Sequence, residues 1–564
     1  MNEALWILTP LDEMARGLSA EIGIPAHIAQ ILVNRKIADA ETAHHFLYGT
    51  LDHLNNPFLM GGMMKAMKRI LKAKCSGEKI LIFGDYDVDG ILSVVALSKA
   101  LRSMGIDVDY FIPDRMKQGY GLKSEYVDIA RQNRSSLVIS VDCGIKAVDF
   151  VESAKRQGID VIITDHHQPG RRLPEACSIL NPVLDSSGYP DKHLAGIGVV
   201  FKLIQALLHE EGNSSLAPHY LKLVSIGTVA DVAALTGENR LMVKYGLDAL
   251  SNVSNIGLKN LIENCGLKGR KVTVGDVGFR IGPRINAAGR LGLTDLAVRL
   301  FFSESQEESI NMVKRLDRLN TERQKIEEKI QKKSIARIEE RNLSRKYRLL
   351  VLGCDEWHRG VIGIVASKLK DLYHRPVILF FYQDGRAFGS GRSIKEFSLI
   401  NCLKHCHPLL LNYGGHIVAV GCELERNNMP RFRATVNSYA DEKITDQDLK
   451  RKLRIDAKIR FRDIDTVFME YMSLLSPFGV GNPKPLFLTE GAEVVGAPKK
   501  LSGKHSKFLL RDDSVIFEAL AWGKGRWADA VCAGDSIDLV YSLQLSHYLG
   551  EEKLNLSLED IRLH

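Results

Sequence analysis

Long apolar runs, clustered cysteines and a large charge of one sign are all missing from this 564-residue sequence. No segment approaches the roughly 18 uninterrupted apolar residues that a membrane helix needs, so no membrane association is expected. Acidic residues at Glu3, Asp12 and Glu13 stand where a signal peptide would carry basic ones. The nine cysteines are scattered and odd in number, which indicates reduced thiols in a cytoplasmic protein rather than a disulfide scaffold.

The composition is that of an ordinary folded protein with several domains. Apolar residues make up 45% and charged residues 26% of the chain, and the length favours about three or four domains. The 76 basic and 68 acidic residues leave a net charge of +8. Spread over this length, that charge permits a polyanionic partner without requiring one.

The spacing of apolar residues divides the chain into five regions. Short apolar runs alternating with helix-compatible segments from about 78 onward predict βαβ units around a buried parallel sheet, in an α/β fold. A charged pattern over 306–342, free of proline and glycine, predicts one long helix. A coiled-coil partner for that helix stays open. We expect a helical region, a first α/β lobe, the long helix, a second α/β lobe and a β-barrel at 1–75, 76–300, 301–345, 346–450 and 451–564.

Acids and histidines follow the predicted strands of the first lobe. They are Asp85, Asp87 and Asp89 after the first strand, Asp142 after the third, Asp165, His166 and His167 after the fourth, and Asp231 after a later apolar stretch. The carboxyl ends of parallel strands converge on one crevice. So many carboxylates repel one another unless cations neutralise them, and oxygen ligands with imidazole suit Mn²⁺ or Mg²⁺. The sequence therefore predicts a two-metal site.

Two other metal sites fit less well. The DYDVDG segment resembles a calcium loop, but its twelfth position is Ala96, where a bidentate glutamate is required. Cys402, His405, Cys406 and His407 contain zinc-binding residue types. Their crowding on one short helix does not supply four converging ligands.

The same segments carry a resemblance to a known family. DYDVDG, VDCGI, TDHH and GTVADV look like the four motifs of the DHH phosphoesterase superfamily. Further matches, over nearly the whole chain, resemble the RecJ family of bacterial single-strand-specific 5′→3′ exonucleases. They include FIPDRMKQGYG (111–121), GPRINAAGRLG (282–292), LNTERQ (319–324), WHRGVIGIVASKL (357–369), GSGRS (389–393) and GGH (414–416). Cys143 and Val420 depart from the family pattern.

The resemblance implies catalytic roles for particular residues. Two divalent ions, Mn²⁺ or Mg²⁺, would be held by Asp85, Asp87, Asp89, Asp142, His166 and Asp231. Asp142 would bridge the ions, His167 would contact the scissile phosphate, and Asp165 would orient the two histidines. Whether Asp85 touches a metal directly is left open. Residues 76–300 would then be the catalytic domain and 346–450 the associated substrate-binding domain.

Substrate contacts are implied in both lobes. They are Arg115, Arg284, Asn286, Arg290, Ser390, Arg392 and His416. Arg115, Ser390 and Arg392 would hold a terminal 5′ phosphate, since arginine forms a bidentate fork. Any one of these arginines could instead form an ion pair between the lobes.

The C-terminal region adds a second candidate surface. Residues 497–527 carry seven basic and three acidic side chains, interleaved with Phe508, Phe517, Trp522 and Trp527. An OB-like barrel with this composition can stack bases and follow a single strand. Phe508 and Phe517 fit the barrel core better than its surface.

The resemblance implies hydrolysis of single-stranded DNA from a 5′ end to 5′-mononucleotides, in DNA recombination and repair. By resemblance, the partners are a single-strand-binding protein and a helicase, and the chain is a monomer. A phosphodiesterase for short oligonucleotides or cyclic dinucleotides is the alternative enzyme. A metal-free scaffold is the alternative from another class, but here every ligand position is filled.

Overall fold

The structure, a computed structural model, describes residues 4–114, 121–548 and 551–564. Its strands are β1 (Leu5–Leu8), β2 (Lys79–Gly84), β3 (Val108–Phe111), β4 (Ser135–Val141), β5 (Asp160–Thr164), β6 (Ser178–Leu180), β7 (Leu350–Cys354), β8 (Val377–Gln383), β9 (Arg386–Arg392), β10 (Asn412–Gly415), β11 (Ala419–Glu425), β12 (Lys452–Ile455), β13 (Ala457–Lys458), β14 (Phe487–Val494), β15 (Lys499–Leu501), β16 (His505–Asp512), β17 (Val515–Ala521), β18 (Ser536–Tyr548) and β19 (Glu551–Leu563). Its α-helices are α1 (Glu13–Ile22), α2 (Ala26–Asn34), α3 (Ala40–Tyr48), α4 (Met63–Cys75), α5 (Val88–Ser103), α6 (Val127–Gln132), α7 (Val148–Arg156), α8 (Gly196–Glu210), α9 (Leu221–Ala230), α10 (Gly237–Ala249), α11 (Ile256–Asn264), α12 (Val274–Asp276), α13 (Gly282–Arg290), α14 (Thr294–Phe302), α15 (Gln306–Glu340), α16 (Leu343–Lys346), α17 (Ile362–Tyr373), α18 (Leu399–His405), α19 (Met429–Lys443), α20 (Thr466–Leu474) and α21 (Trp527–Ala530).

Two compact units contain these elements. One comprises Asn55–Ala233 and Met242–Lys450, and the other comprises Met1–Leu54, Ala234–Leu241 and Arg451–His564. None of the helices in the described ranges is long and apolar enough to span a membrane.

The first lobe of the larger unit is built on a parallel sheet. Its five strands run in the order β3-β2-β4-β5-β6, all parallel. The four strands predicted from their apolar runs are present, whereas β6 has only three residues and gives no periodic pattern. Helices α5, α8 and α9 are buried around most of their circumference, because they are apolar on nearly all sides.

The second lobe of this unit follows the long helix. Helix α15 covers 35 residues, which confirms the element predicted over 306–342. It leads into a mixed sheet of order β10-β11-β9-β8-β7, in which only β7 and β8 pair in parallel. Cys402, Cys406 and Cys422 are buried in the apolar core of this lobe.

The smaller unit contains a closed barrel. Strands β14, β18, β19, β17 and β16 pair in sequence, and β16 returns to β14. This confirms the predicted OB-like barrel. Helices α1 to α3 share one hydrophobic core with it, which joins Ile28 and Leu32 to Phe487 and Phe508. The N-terminal helices up to residue 54 therefore belong to the barrel unit, while α4 belongs to the larger one.

Candidate metal centre

The acids of the first lobe meet where the strand order of its sheet reverses. Strands β2 and β4 are neighbours, and the chain leaves them towards opposite edges, which opens a crevice at their carboxyl ends. Asp85 follows β2 directly, Asp142 follows β4 and Asp165 follows β5. Asp231 reaches the same place from the end of α9, because the apolar stretch before it is a helix and not a strand.

Three overlapping groups of side chains lie close enough to share metal ions. Within each group, one ligand atom from every residue lies within 4.8 Å of the others. The groups are Asp85, Asp87 and Asp142; Asp89, His166 and Asp231; and Asp142, His166 and His167. Asp142 and His166 each belong to two groups, so the three groups form one continuous cluster of side chains, which we call the metal cluster.

Backbone geometry fixes several of these acids. Asp87 caps the start of α5 by accepting a hydrogen bond from the Gly90 N–H, and this places Asp89 in the first turn. The N–H groups of Gly196 and Ile197, at the start of α8, each donate to the Asp89 carboxylate at 2.8 Å. Asp142 has a φ of 58°, a left-handed conformation that is costly for a side-chain-bearing residue and concentrates at functional sites.

The cluster is electrostatically unfavourable by itself. Burial, followed by the charge of Asp87, raises the pKa of Asp89 to about 7. Burial and the charges of Asp89 and Asp87 raise the pKa of Asp231 to about 9, and the same causes raise that of Asp142 well above its usual range. Because these carboxylates repel each other, bound cations would stabilise their ionised forms.

The two histidines differ in protonation: His166 is neutral, whereas His167 donates a hydrogen bond to Asp165. Burial and the charge of His167 lower the pKa of His166 to about 4, so its ring is neutral. The Nδ1 atom of His167 lies 2.7 Å from Asp165 Oδ1. Burial acts to lower the pKa of His167, but the hydrogen bond and charge of Asp165 raise it above the usual value. The Asp165 carboxylate also accepts the backbone N–H groups of Ile145, His166 and His167.

Helix α13, which contains most of the GPRINAAGRLG segment, lies against the metal cluster at both ends. A Cβ atom built at Gly282 would lie 3.6 Å from the Ala230 side chain, next to Asp231. At the other end, a Cβ built at Gly289 would lie 2.1 Å from the carbonyl oxygen of Tyr86. Only glycine allows this second approach.

The predicted phosphate-binding residues of this helix differ in their surroundings. Arg284 donates to Asp317 of α15 through Nε at 2.9 Å and to the carbonyl of Arg280, so its guanidinium is engaged in holding α13 against α15. Arg290 donates to the carbonyl of Gly360 in the second lobe at 2.9 Å. Asn286 is half-buried on the same helix.

The second lobe brings Ser390 and Arg392 together at the end of β9. Arg392 Nη1 lies 3.3 Å from Ser390 Oγ. A Cβ atom built at Gly363, the second residue of α17, would lie 2.9 Å from Ser390 Oγ and 3.3 Å from Arg392 Nη2. The start of a twelve-residue helix therefore faces this pair, and helix starts favour anions. Arg115 lies outside the described residues.

His416 connects the second lobe to the metal cluster. It follows β10 and is exposed. Burial of its ring and the positive charges of His167 and Lys146 lower the pKa of His416. The structure thus brings His416 near the histidines of the first lobe.

Some residues at the site were not identified from the sequence. Lys146, whose charge acts on His416, directly follows the VDCGI motif. That position was the one signal in the sequence that could have identified it. Phe279 is 85% exposed, on a single π-helical turn (Val277–Ile281) just before α13, and such turns often occur at functional sites. The helix-start donors to Asp89, Gly196 and Ile197, lie in the LAGIGV segment (194–199), which also resembles the family, but the sequence indicated no role for their N–H groups.

The four aromatic residues of segment 497–527 in the barrel unit differ in their exposure. Phe508 and Trp527 are buried and Phe517 is half-buried, so Phe508 is a core residue, as the sequence favoured. Trp522 is 51% exposed and lies edge-on to His505, with ring centroids 4.9 Å apart. Lys504, His505 and Arg526 line a cavity of about 510 Å³ beside the loop after Trp522.

Comparison with known protein families identifies three segments. Residues 79–228 match the DHH family N-terminal domain, residues 346–442 match the DHHA1 domain, and residues 455–560 match the RecJ OB domain.

Similar proteins and structures cover nearly the whole chain. The single-stranded-DNA-specific exonuclease RecJ of Bacillus subtilis is 37% identical over 98% of this chain and 70% of its own length. The protein of the same description from Escherichia coli is 31% identical over 98% of both. The crystal structure of RecJ in complex with Mn²⁺ from Thermus thermophilus has a TM-score of 0.85 and 31% identity, covering 99% of this chain and 79% of that one. The corresponding Mg²⁺ complex has a TM-score of 0.79 and 29% identity, covering 99% of this chain and 78% of that one.

Proposed function

The chain belongs to the RecJ family of single-stranded-DNA-specific exonucleases, and we propose that it removes nucleotides from the 5′ end of single-stranded DNA by metal-dependent hydrolysis. The observation that carries this proposal is the cluster of buried Asp85, Asp89 and Asp142 with half-buried Asp87, His166 and Asp231 at the switch point of the parallel sheet. No side chain in the cluster is a hydroxyl or thiol nucleophile.

The cluster fits two divalent cations. Asp142 Oδ1 and His166 Nε2 are both buried, and neither has a hydrogen-bond partner in the described part of the chain, although they lie 3.1 Å apart. Carboxylates with one or two imidazoles suit Mn²⁺ or Mg²⁺, and relatives are described with each ion. When bound, such ions neutralise phosphate charge and lower the pKa of water. We assign Asp87, Asp89, Asp142, His166 and Asp231 as ligands, with Asp85 as a further participant.

His167 is suited to hold the scissile phosphate. Asp165 accepts the Nδ1 proton of His167, which leaves Nε2 as the other ring donor when the ring is protonated. The raised pKa of His167 favours that protonated form. Asn181 supports the arrangement by donating to the His167 carbonyl at 2.9 Å.

The second lobe is suited to hold the terminal phosphate. Ser390, Arg392 and the start of α17 supply a hydroxyl, a guanidinium and backbone N–H groups around one point. We include Arg115 in this pocket by family resemblance alone. A pocket for the terminal phosphate near the metal cluster would impose 5′→3′ direction.

Helix α13 and the barrel each offer a surface for the strand. Phe279, Asn286 and Arg290 lie along one continuous helical segment, and the exposed Phe279 ring can stack on a base. We assign Arg284 to supporting α13, since Asp317 holds it. In the barrel unit, Trp522, Lys504 and Arg526 supply the stacking surface and cations that suit a single strand.

We extend the proposal to the cellular setting by family resemblance. The expected role is in recombination and repair in the cytoplasm, as a monomer, with a helicase and a single-strand-binding protein as partners.

A substrate comparison tests the function. Purified protein with Mn²⁺ or Mg²⁺ is given 5′-labelled single-stranded DNA, the same strand in a blunt duplex, and a dinucleotide. We expect labelled 5′-mononucleotide from the single strand first, little from the duplex, and loss of activity with EDTA. Faster cleavage of the dinucleotide than of the long strand would favour the oligonucleotide phosphodiesterase instead.

A further inference from the structure

A cavity of about 450 Å³ lies at the carboxyl end of α5, in the larger unit. The residues that matter here are Lys99 and Arg102 of α5, Asn255 before α11, Phe302 at the end of α14, and Ser303 and Glu304 after it. We call it the α5 cavity. None of these residues belongs to the metal cluster or to the pocket around Arg392.

Two cations stand side by side in the α5 cavity. The Arg102 guanidinium lies 4.8 Å from the centroid of the Phe302 ring, and Lys99 Nζ lies 5.3 Å from it. The ring face attracts both cations but carries no net charge. Arg102 is further fixed by donating to the carbonyl of Val108 at 2.9 Å. The cations are therefore positioned without being neutralised.

Charge balance in the α5 cavity is incomplete. Within the described ranges, no ion pair joins Lys99 or Arg102 to a carboxylate, and Lys99 Nζ has no hydrogen-bond acceptor. Glu304 acts on Lys99 only at longer range, while burial and the charge of Arg102 lower the pKa of Lys99. The presence of a cation at Arg102 is explained by its place in the last turn of α5, because the carboxyl end of a helix favours positive charge. Lys99 is half-buried about one turn earlier, outside the last turn of α5, so the helix end does not account for its charge.

We propose that the α5 cavity is a second phosphate-binding site, with Lys99 and Arg102 as its cations. The start of α11, which Asn255 caps through its side chain, adds the positive end of a nine-residue helix. The volume of the cavity is several times that of a phosphate ion, so the phosphate belongs to a larger group. A free nucleoside phosphate and the backbone of a DNA strand share this chemistry.

The site is separate from the metal centre but touches the same helix. Lys99 stands ten residues after Asp89 on α5, which corresponds to about 15 Å along a helix. A ligand in the α5 cavity would therefore contact the helix whose first turn carries Asp89. The proposal does not depend on the exonuclease function.

Protection of Lys99 from acetylation tests the proposal. The full-length Arg392→Ala protein, in EDTA, is treated briefly with acetic anhydride, and the acetylation of individual lysines is measured by peptide mass spectrometry. Three samples contain pyrophosphate, a deoxynucleoside 5′-monophosphate or a single-stranded oligonucleotide. At a ligand concentration ten times its dissociation constant, Lys99 should be acetylated about tenfold more slowly. Exposed Lys259, on α11 and outside the cavity, should be unaffected.

The pattern of protection identifies the source of the phosphate. Protection by pyrophosphate or the monophosphate assigns a small phosphate ligand, and protection by the oligonucleotide alone assigns the DNA backbone. Protection by none of the three at millimolar concentration overturns the proposal. If the unmodified chain with Mn²⁺ releases no mononucleotide from single-stranded DNA while Lys99 is protected, the exonuclease proposal fails and this one stands.

Matched variants supply the second measurement. In the Arg392→Ala background, Lys99→Gln should weaken binding of the protecting ligand about tenfold, because it removes one charge-assisted contact. Lys99→Arg keeps the charge and should bind within a few-fold of the parent. Lys259→Gln makes the same charge change outside the cavity and should have no effect. Equal affinities for Lys99→Gln and Lys259→Gln would overturn the assignment.

Discussion

The Nε2 atom of His166 lies 3.1 Å from the Oδ1 atom of Asp142, and both atoms are buried. Neither has a hydrogen-bond partner among the described residues. A buried polar atom without a partner costs free energy, and here two such atoms face each other across one point. A cation coordinated by both would remove that cost, which is why the pair defines the centre of the metal site.

Asp142→Asn should abolish exonuclease activity. Asparagine keeps the size of the side chain but removes the charge shared by two of the three ligand groups, and we expect a loss of at least about a thousandfold in saturating Mn²⁺. The measurement is the initial rate of mononucleotide release from single-stranded DNA. Asp128→Asn makes the same change on the exposed surface of α6 and should retain activity. Turnover near that of the unmodified chain would contradict the two-metal assignment.

Stabilisation by Mn²⁺ should increase with pH. The pKa values of Asp89 and Asp231 are raised to about 7 and about 9 on folding. An acid whose pKa rises on folding loses stability as pH increases from its unfolded value to its folded value. The metal-free protein therefore becomes less stable across this window, from about pH 4 to about pH 9, and bound metal offsets the loss.

Thermal unfolding with and without Mn²⁺ measures this effect. The increase in Tm on adding Mn²⁺ should be larger at about pH 8.5 than at about pH 6. Asp231→Asn cannot ionise and should show a smaller difference between the two pH values. An Mn²⁺ effect independent of pH in the unmodified chain would show that these carboxylates do not exchange protons for metal.

Gly363→Ala should weaken recognition of a 5′ phosphate. The added Cβ would lie 2.9 Å from Ser390 Oγ and 3.3 Å from the Arg392 guanidinium, so it occupies space proposed for the phosphate. We expect KM to rise about tenfold for 5′-phosphorylated DNA and to change little for DNA with a 5′ hydroxyl. Arg392→Ala should act in the same direction.

A second glycine provides the control for this substitution. Gly17 also lies within a helix, α1, and a Cβ atom built there has no neighbour within 4 Å. Gly17→Ala should leave both KM values unchanged. Equal KM increases for phosphorylated and hydroxyl ends in Gly363→Ala would indicate a general distortion rather than a phosphate pocket.

Phe279→Ala should weaken the binding of long strands. The ring is 85% exposed, so its removal leaves no buried cavity, and the loss of one base–aromatic stack is worth about 1–3 kcal/mol. KM for a long single strand should rise about tenfold, while cleavage of a dinucleotide should not change. Leu216→Ala, at another exposed apolar side chain, serves as the control. A fall in kcat on both substrates would instead place Phe279 in the catalytic step.

The parallel sheet and the acids after its strands were predictable because both depend on local sequence. Four-residue apolar runs fit a strand buried on both faces, and Asp85, Asp142 and Asp165 come directly after such runs. Strand β6 was missed because three residues give no periodicity. The apolar stretch before Asp231 did not by itself distinguish a buried helix from a buried strand, because the two have similar apolar runs.

The roles of individual arginines and aromatic residues were less predictable. Arg284 stands in the same motif as Arg290, yet it donates to Asp317, which lies 33 residues further along the chain. Trp522 and Trp527 are five residues apart, and one is exposed while the other is buried. Both outcomes depend on which element packs against the side chain, and spacing does not encode that.

The α/β class, the long helix, the barrel and the grouping of acids and histidines after the strands could all be predicted from the sequence. These follow from the residue types and their periodicity over short distances. The tertiary structure alone decided that α1 to α3 share a core with a barrel more than 400 residues away, that helix α8 supplies N–H donors to Asp89, and that His166 and Asp142 meet without a hydrogen bond. Such contacts join residues far apart in the chain, and they arise only when packing of the whole fold brings their elements together.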